Sequence, residues 1–202
     1  IDFYRAAKKA GIKPIIGCEV YVAPRTRHDR VHGVDNEAYH LVLLCKDRTG
    51  YENLCLLVSE AFMHGFYGKP RVDIDLLRKH HEGLIALSAC LAGAIPQYLL
   101  EEDYASAKEY ALKMADIFGP EHFYLELQDH GIDEQRPVNQ GVMRIARETG
   151  LPLVVTNDAH YLRREDAKMQ DVLLCIQTGK TVDDENRMKF QTEEFYLKSE
   201  EE

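Results

Sequence analysis

The sequence predicts an α/β fold built from successive strand–helix units, and three observations carry that expectation. Short runs rich in Ile, Leu and Val alternate with stretches of helical periodicity along the whole chain, the pattern of parallel βα units whose helices cover both sheet faces. Polar residues cluster where the apolar runs finish, which is where parallel α/β folds place their chemistry. The 202 residues, 45% apolar and 29% charged, suffice for one sizeable core, so a single domain is expected.

Each element follows from its local pattern. Residues 1 to 10 put Phe3, Ala6, Ala7 and Ala10 on one helical stripe, with Gly11 as terminator. Ile12 to Val22 reads as a strand with one acid, Glu19, in its apolar run. A carboxylate inside a buried strand is costly unless paired or bound to metal; an edge strand with Glu19 facing water is the other possibility. Residues 24 to 37, with His28 and His32, form a polar loop. Tyr39 to Cys45 is the next strand, opening on His40, and Thr49 to Met63 a helix carrying Tyr51, Leu54, Cys55, Val58 and Phe62 at helical spacing. Gly65 to Val72 reads as a loop holding Lys69 and Arg71, and His80-His81 as the solvated end of a short helix around Leu76 and Leu77.

A third strand, Leu84 to Ser88, leads into Cys90, which packing alone explains as a buried inert thiol. Tyr104 to Phe118 is an amphipathic helix stopped by Gly119-Pro120. Phe123 to Leu127 is the fourth strand, and Asp133 caps a helix reaching Thr149-Gly150. Pro152 to Thr156 is the fifth, and Glu165 to Ile176 a last helix with Met169, Val172, Leu173 and Ile176 on its apolar face. About five strands are too few to close a barrel.

Composition narrows the function classes. The odd set of five cysteines at 18, 45, 55, 90 and 175 has no CxxC pair, which suits a reducing, cytoplasmic compartment rather than a disulfide framework. No apolar run approaches the roughly 20 residues that span a bilayer, and no leader opens the chain. A net charge of −9 argues against a general grip on nucleic acid. The chain starts at Ile1 inside a helical pattern and stops at Ser199-Glu200-Glu201-Glu202, so both ends are expected to continue into a larger protein. GxSxG, a phosphate-cradling glycine loop and HExxH are all absent, leaving esterase, nucleotide-binding and zincin readings without support.

What remains is a set of metal-ligand residues on different strands. Leu153-Val154-Val155-Thr156-Asn157-Asp158-Ala159-His160 delivers an acid and an imidazole two positions apart past a strand. On extended backbone they point to the same side and could share one metal or two adjacent ones. Such pairs are frequent by chance, so a turn aspartate and a surface histidine stand beside that reading. Glu19, Cys90, Asp158 and His160 are expected to converge. His40 is awkward, because it starts its strand.

Seven segments together carry a family resemblance. They are Gly17-Cys18-Glu19-Val20-Tyr21, Tyr39-His40-Leu41-Val42-Leu43-Leu44, Gly50-Tyr51-Glu52-Asn53-Leu54, Leu87-Ser88-Ala89-Cys90-Leu91, Leu125-Glu126-Leu127-Gln128-Asp129-His130-Gly131, Thr156-Asn157-Asp158-Ala159-His160-Tyr161 and Leu174-Cys175-Ile176-Gln177-Thr178-Gly179-Lys180. In this order they resemble the polymerase-and-histidinol-phosphatase (PHP) domain of bacterial DNA polymerase III alpha subunits.

The resemblance implies a partial, distorted (β/α)7 barrel whose first strands lie before residue 1, with a core over about residues 1–180 and residues 181–202 leading toward the polymerase region. It implies metal ligands at Glu19, His40, Cys90, Asp158 and His160, with Glu19 bridging and Asp158 and His160 as the catalytic pair, and zinc or manganese as the ion. The family's amino-terminal HxH and Thr-Asp-His-Gly segments have no counterpart here; Asp129-His130-Gly131 follows the fourth strand and does not replace them. It implies a metal-dependent phosphoesterase acting as a 3′–5′ exonuclease or, where the ligand set is eroded, a scaffold that stabilises the polymerase and docks a proofreading partner. Polymerisation, with its magnesium, would belong to a palm domain outside these residues. The implied partners are DNA through the rest of the polymerase, the sliding clamp and a proofreading subunit.

Overall fold

A computed structural model describes residues 1–202. The strands are β1 (Gly17–Val22), β2 (Tyr39–Cys45), β3 (Arg71–Val72), β4 (Leu84–Leu87), β5 (Phe123–Leu127) and β6 (Leu153–Val155). The helices are α1 (Asp2–Lys9), α2 (Arg48–His64), α3 (Ile74–Lys79), α4 (Ala94–Leu100), α5 (Tyr104–Phe118), α6 (Gln135–Thr149) and α7 (Ala167–Thr178), the last preceded by a 3-10 turn at Arg164–Asp166. The α/β class expected from the sequence is the one found.

The strands form one open six-stranded sheet in the order β3-β1-β2-β4-β5-β6. All run parallel except β2, which is antiparallel to both neighbours, so the expectation of uniformly parallel units is corrected. The cause lies in the connection: no helix separates β1 from β2, and a return without a crossover reverses the chain. The reversal removes the awkwardness of His40, because the start of β2 lies on the same rim as the carboxyl ends of the other strands.

Helices line one sheet face. Val20, Val22, Leu41, Leu43, Ala86, Phe123 and Leu125 point into it and meet Leu54, Leu57, Met114 and Ile145 from α2, α5 and α6. Leu43, Leu57, Met114, Phe123 and Leu125 are wholly buried, each such side chain contributing about 1.5–3 kcal/mol. On the opposite face Glu19, Tyr21, His40, Val42, Leu44 and Ile85 stay partly exposed. The expectation of two covered faces is therefore also corrected.

Three capping carboxylates start helices as the turn chemistry requires: Asp47, Asp73 and Asp103 accept from the backbone N–H of Gly50, Leu76 and Ser106. Several elements differ from expectation. The first strand begins at Gly17 rather than Ile12, Arg71–Val72 pairs as a short strand rather than lying in a loop, and α4 was not foreseen. The apolar stripe of α1 buries nothing, with Phe3 78% exposed. In α7 the buried pair is Leu174 and Cys175, while Met169, Val172, Leu173 and Ile176 are exposed. No helix is long and apolar enough to cross a membrane.

Candidate metal centre

Three of the five candidate ligands meet on the open face. The antiparallel register sets Tyr21 opposite His40, two residues on from Glu19, and period-two alternation puts Glu19, Tyr21 and His40 on one side. Cys90 arrives from the turn after β4, where the His40 N–H donates to Ala92 O at 3.0 Å. The His40 Nδ1 atom then lies 3.2 Å from Glu19 Oε2 and 3.7 Å from Cys90 Sγ. Contact with Cys90 first, and then with Glu19, pushes the His40 imidazole up to about 9. The same contact with His40 lowers Glu19 below the usual carboxylate range, with the Lys69 ammonium adding a smaller push in that direction. Lys69 is held 4.2 Å over the Tyr21 ring. Of the two readings the sequence leaves open for Glu19, the structure shows the one that faces water. The Glu19 side chain is 40% exposed, because β3 pairs with β1 only at Tyr21 and Val22.

Asp158 and His160 form a second arm beyond β6. Asp158 takes a left-handed backbone, φ 44°. The His160 Nδ1–H donates to the Asp158 carbonyl at 2.7 Å, which leaves the Nε2 lone pair as the donor available to an ion. The His160 ring packs against Phe190 and Phe195, at centroid distances of 4.8 and 5.7 Å. Behind this arm sits His130, 1% exposed. Its Nε2–H donates to Asn157 O at 2.6 Å, its Nδ1 accepts from Gln135 at 2.8 Å, and its ring stacks on Phe195 at 4.2 Å. With both nitrogens used, His130 is an anchor. The stretch beyond residue 180 reaches the site here, with Phe195 and Tyr196 buried.

Between the arms stands a residue that sequence reasoning missed. Glu126 on β5 is 7% exposed. Its carboxylate accepts from Ala89 N at 2.5 Å and from Thr156 Oγ1 at 2.7 Å. Burial first, with the nearby Asp158 charge as a smaller contribution, raises it above the usual range, against the hydrogen bonds that lower it. The signal was available: Phe123-Tyr124-Leu125-Glu126-Leu127 has an acid in an apolar strand just as the Glu19 strand does.

No hydrogen bond or ion pair links Asp158 or His160 to Glu19, His40 or Cys90, and no group of three or more His, Cys, Asp or Glu side chains surrounds a common point. The first three meet at one ring nitrogen instead. The two separations from His40 Nδ1 alone have the length of coordination-shell edges. Tetrahedral bonds of roughly 2.0–2.3 Å to zinc give N···O and N···S edges of about 3.3 and 3.6 Å, against the observed 3.2 and 3.7 Å. The thiol, imidazole and carboxylate donor set also suits a zinc-like ion.

Residues 1–130 match the PHP domain family. The chain is 50% identical over 202 residues to the DNA polymerase III subunit alpha of Treponema pallidum, 48% over 204 residues to that of Thermus aquaticus and 48% over 203 residues to that of Borreliella burgdorferi. All of this chain is covered in each comparison, and it spans 17, 17 and 18% of those relatives. Fold class and sequence likeness agree: the chain belongs to the PHP domain family.

Proposed function

We propose that this chain is the PHP portion of a bacterial DNA polymerase III alpha subunit, working in the cytoplasm, and that its open sheet face binds zinc or manganese and hydrolyses phosphodiesters at a DNA 3′ end. The observation that carries the reading is the flanking of His40 Nδ1 by Glu19 and Cys90 at separations proper to one coordination shell. Glu19, His40 and Cys90 would hold one divalent ion, with Asp158 and His160 as ligands of an adjacent one, and the metal would supply Lewis-acid polarisation of a phosphodiester. The chain's own residues prepare that site. Glu19 contributes anionic charge, His160 is oriented by its bond to the Asp158 carbonyl, and the aromatic wall of Phe190 and Phe195 excludes water from one side.

Nucleotidyl transfer, its magnesium, and contacts with the sliding clamp and a proofreading subunit belong in this proposal to other parts of the polymerase, so these 202 residues alone are inactive as a polymerase. The test is the ratio of 3′–5′ nuclease to polymerase activity in the full-length polymerase, before and after D158N together with H160Q, with saturating zinc or manganese and well below melting. The expected result is a fall of tenfold or more in the ratio. An unchanged ratio with a lowered melting temperature overturns the enzymatic reading and makes the domain a scaffold.

A further inference from the structure

We infer that Glu126 is a positioning residue that ties the Cys90 arm to the Asp158–His160 arm and sets their spacing for the metal; the inference rests on the metal reading above. Cys90 follows β4 and Asp158 follows β6, and β5 lies between them. Neighbouring strands are about 4.8 Å apart, so the arms are separated by roughly 10 Å. Only a side chain on the intervening strand, pointing to the open face, can touch both. Glu126 is that residue, paired in register with Val154.

Its two oxygens divide the work. Oε2 accepts from the N–H of Ala89, the residue before Cys90. Oε1 accepts from the hydroxyl of Thr156, two residues before Asp158, and that hydroxyl is fixed in turn by the Gln128 amide at 3.1 Å. The Glu126 N–H donates to Ser88 Oγ at 2.8 Å, so strand and turn are tied twice. Each arm also holds a non-glycine residue in left-handed backbone, Ala89 at φ 65° and Asp158 at φ 44°. Such conformations persist only where the surroundings over-determine them. At Ala89 the carboxylate of Glu126 is the partner of the strained residue's own N–H.

Glutamine at 126 keeps the shape but turns an NH2 toward one of the two donors it must satisfy. Valine at 156 keeps the shape and removes only the tie to the Asp158 arm. The experiment is a cobalt(II) titration of the full-length polymerase as wild type, E126Q, T156V and the surface control E148Q. Affinity is read from the thiolate-to-cobalt charge-transfer band, and folding from circular dichroism and melting. The expected result is a tenfold or greater loss of affinity in folded E126Q and T156V. The band per bound ion should shift in E126Q and stay unchanged in T156V, and E148Q should match wild type. Folded variants with wild-type affinity and an unshifted band overturn the positioning role while the metal reading stands. A wild type that binds no cobalt overturns the metal reading and this inference with it. If E126Q does not fold, T156V decides.

Discussion

The two arms of the candidate centre are built differently. Glu19 and His40 sit on paired strands, and Glu19 and Cys90 each touch His40 directly. Asp158 and His160 stand on a turn after the three-residue strand β6 and are held through their backbone, by the Asn157 carbonyl to His130 and by His160 N–H to the Phe195 carbonyl. Strand register fixes donors with no further support, whereas donors on a turn need a buried anchor behind them. Each arm should therefore fail at a different kind of residue.

The largest effect belongs to the Cys90 turn. A Cβ on Gly93 would lie 2.2 Å from the Ser88 carbonyl oxygen and 3.2 Å from that of Cys90. Both obstacles are backbone, which cannot swing aside as a side chain can. G93A should cost about 3 kcal/mol or more, read by urea unfolding. It should also displace Cys90 from His40, seen as changed His40 ring resonances, while amides 157–160 keep their exchange protection. Loss of protection at both arms would show that they are one mechanical unit.

The complementary change is H130A, which removes a buried ring stacked on Phe195 and takes from the Asn157 carbonyl and the Gln135 side-chain NH2 their ring partner, while Gln135 Oε1 keeps the backbone N–H of residue 130. A loss of about 2–4 kcal/mol is expected, with faster exchange at 157–160 and unchanged His40 resonances. Undiminished protection at 157–160 would remove His130 from the role of anchor.

This contrast explains what the sequence disclosed. Tyr39 to Cys45, Tyr104 to Phe118 and Phe123 to Leu127 are legible to the residue, because each is buried on one face by neighbours that impose the period. The phase of α2 was misjudged: Leu54, Leu57 and Ala61 are buried while Tyr51 and Phe62 are exposed, since a helix rich in apolar residues offers more than one plausible stripe. The stripes of α1 and α7 were real in the sequence yet face outward, and periodicity says which residues share a face but not what covers it. In the site, residue types identified the candidates. The reversal of β2, which brings His40 to the right rim, was invisible because strand direction depends on the connection. Glu126 was overlooked because its partners come from residues 89 and 156, far away in sequence.

A smaller, pH-dependent effect concerns the loop joining the Glu19 and His40 strands. Arg25 binds Asp35 at 2.6 and 3.0 Å, Val31 N–H donates to the same carboxylate at 2.7 Å, and buried Arg71 donates to the Asp35 carbonyl. The Arg25 guanidinium, chiefly, holds Asp35 down at about 2. A folded value below the unfolded value of about 3.9 means that this stabilisation is fully present above about pH 4 and is lost as pH falls toward 2. D35N should flatten the dependence of melting temperature on pH in that window and lower the plateau above it. An acid limb as steep in D35N as in wild type would assign the acid sensitivity to other carboxylates.

The smallest effect tests the contrast from the side of the second arm. Gly131 follows the anchor His130 and has φ 70°, the left-handed region, yet a Cβ there would meet only Thr192 Cγ2, at 3.9 Å. That is ordinary contact, so alanine pays conformational strain alone, about 1 kcal/mol, or roughly 2–4 °C in melting temperature for a chain of this size. The neighbouring restraints stay in place: Thr192 Oγ1 donates to the His130 carbonyl at 2.6 Å, and His130 still holds Asn157. G131A should therefore shift melting slightly while leaving exchange at 157–160 and cobalt affinity unchanged. The two glycines thus separate two causes, a backbone collision at 93 that moves a ligand and a torsional penalty at 131 that moves nothing. If G131A were as costly as G93A, or weakened cobalt binding to a similar degree, the turn after β5 would be as rigidly coupled to the metal ligands as the Cys90 turn, and a register-held arm opposed to an anchored one would be the wrong description of this centre.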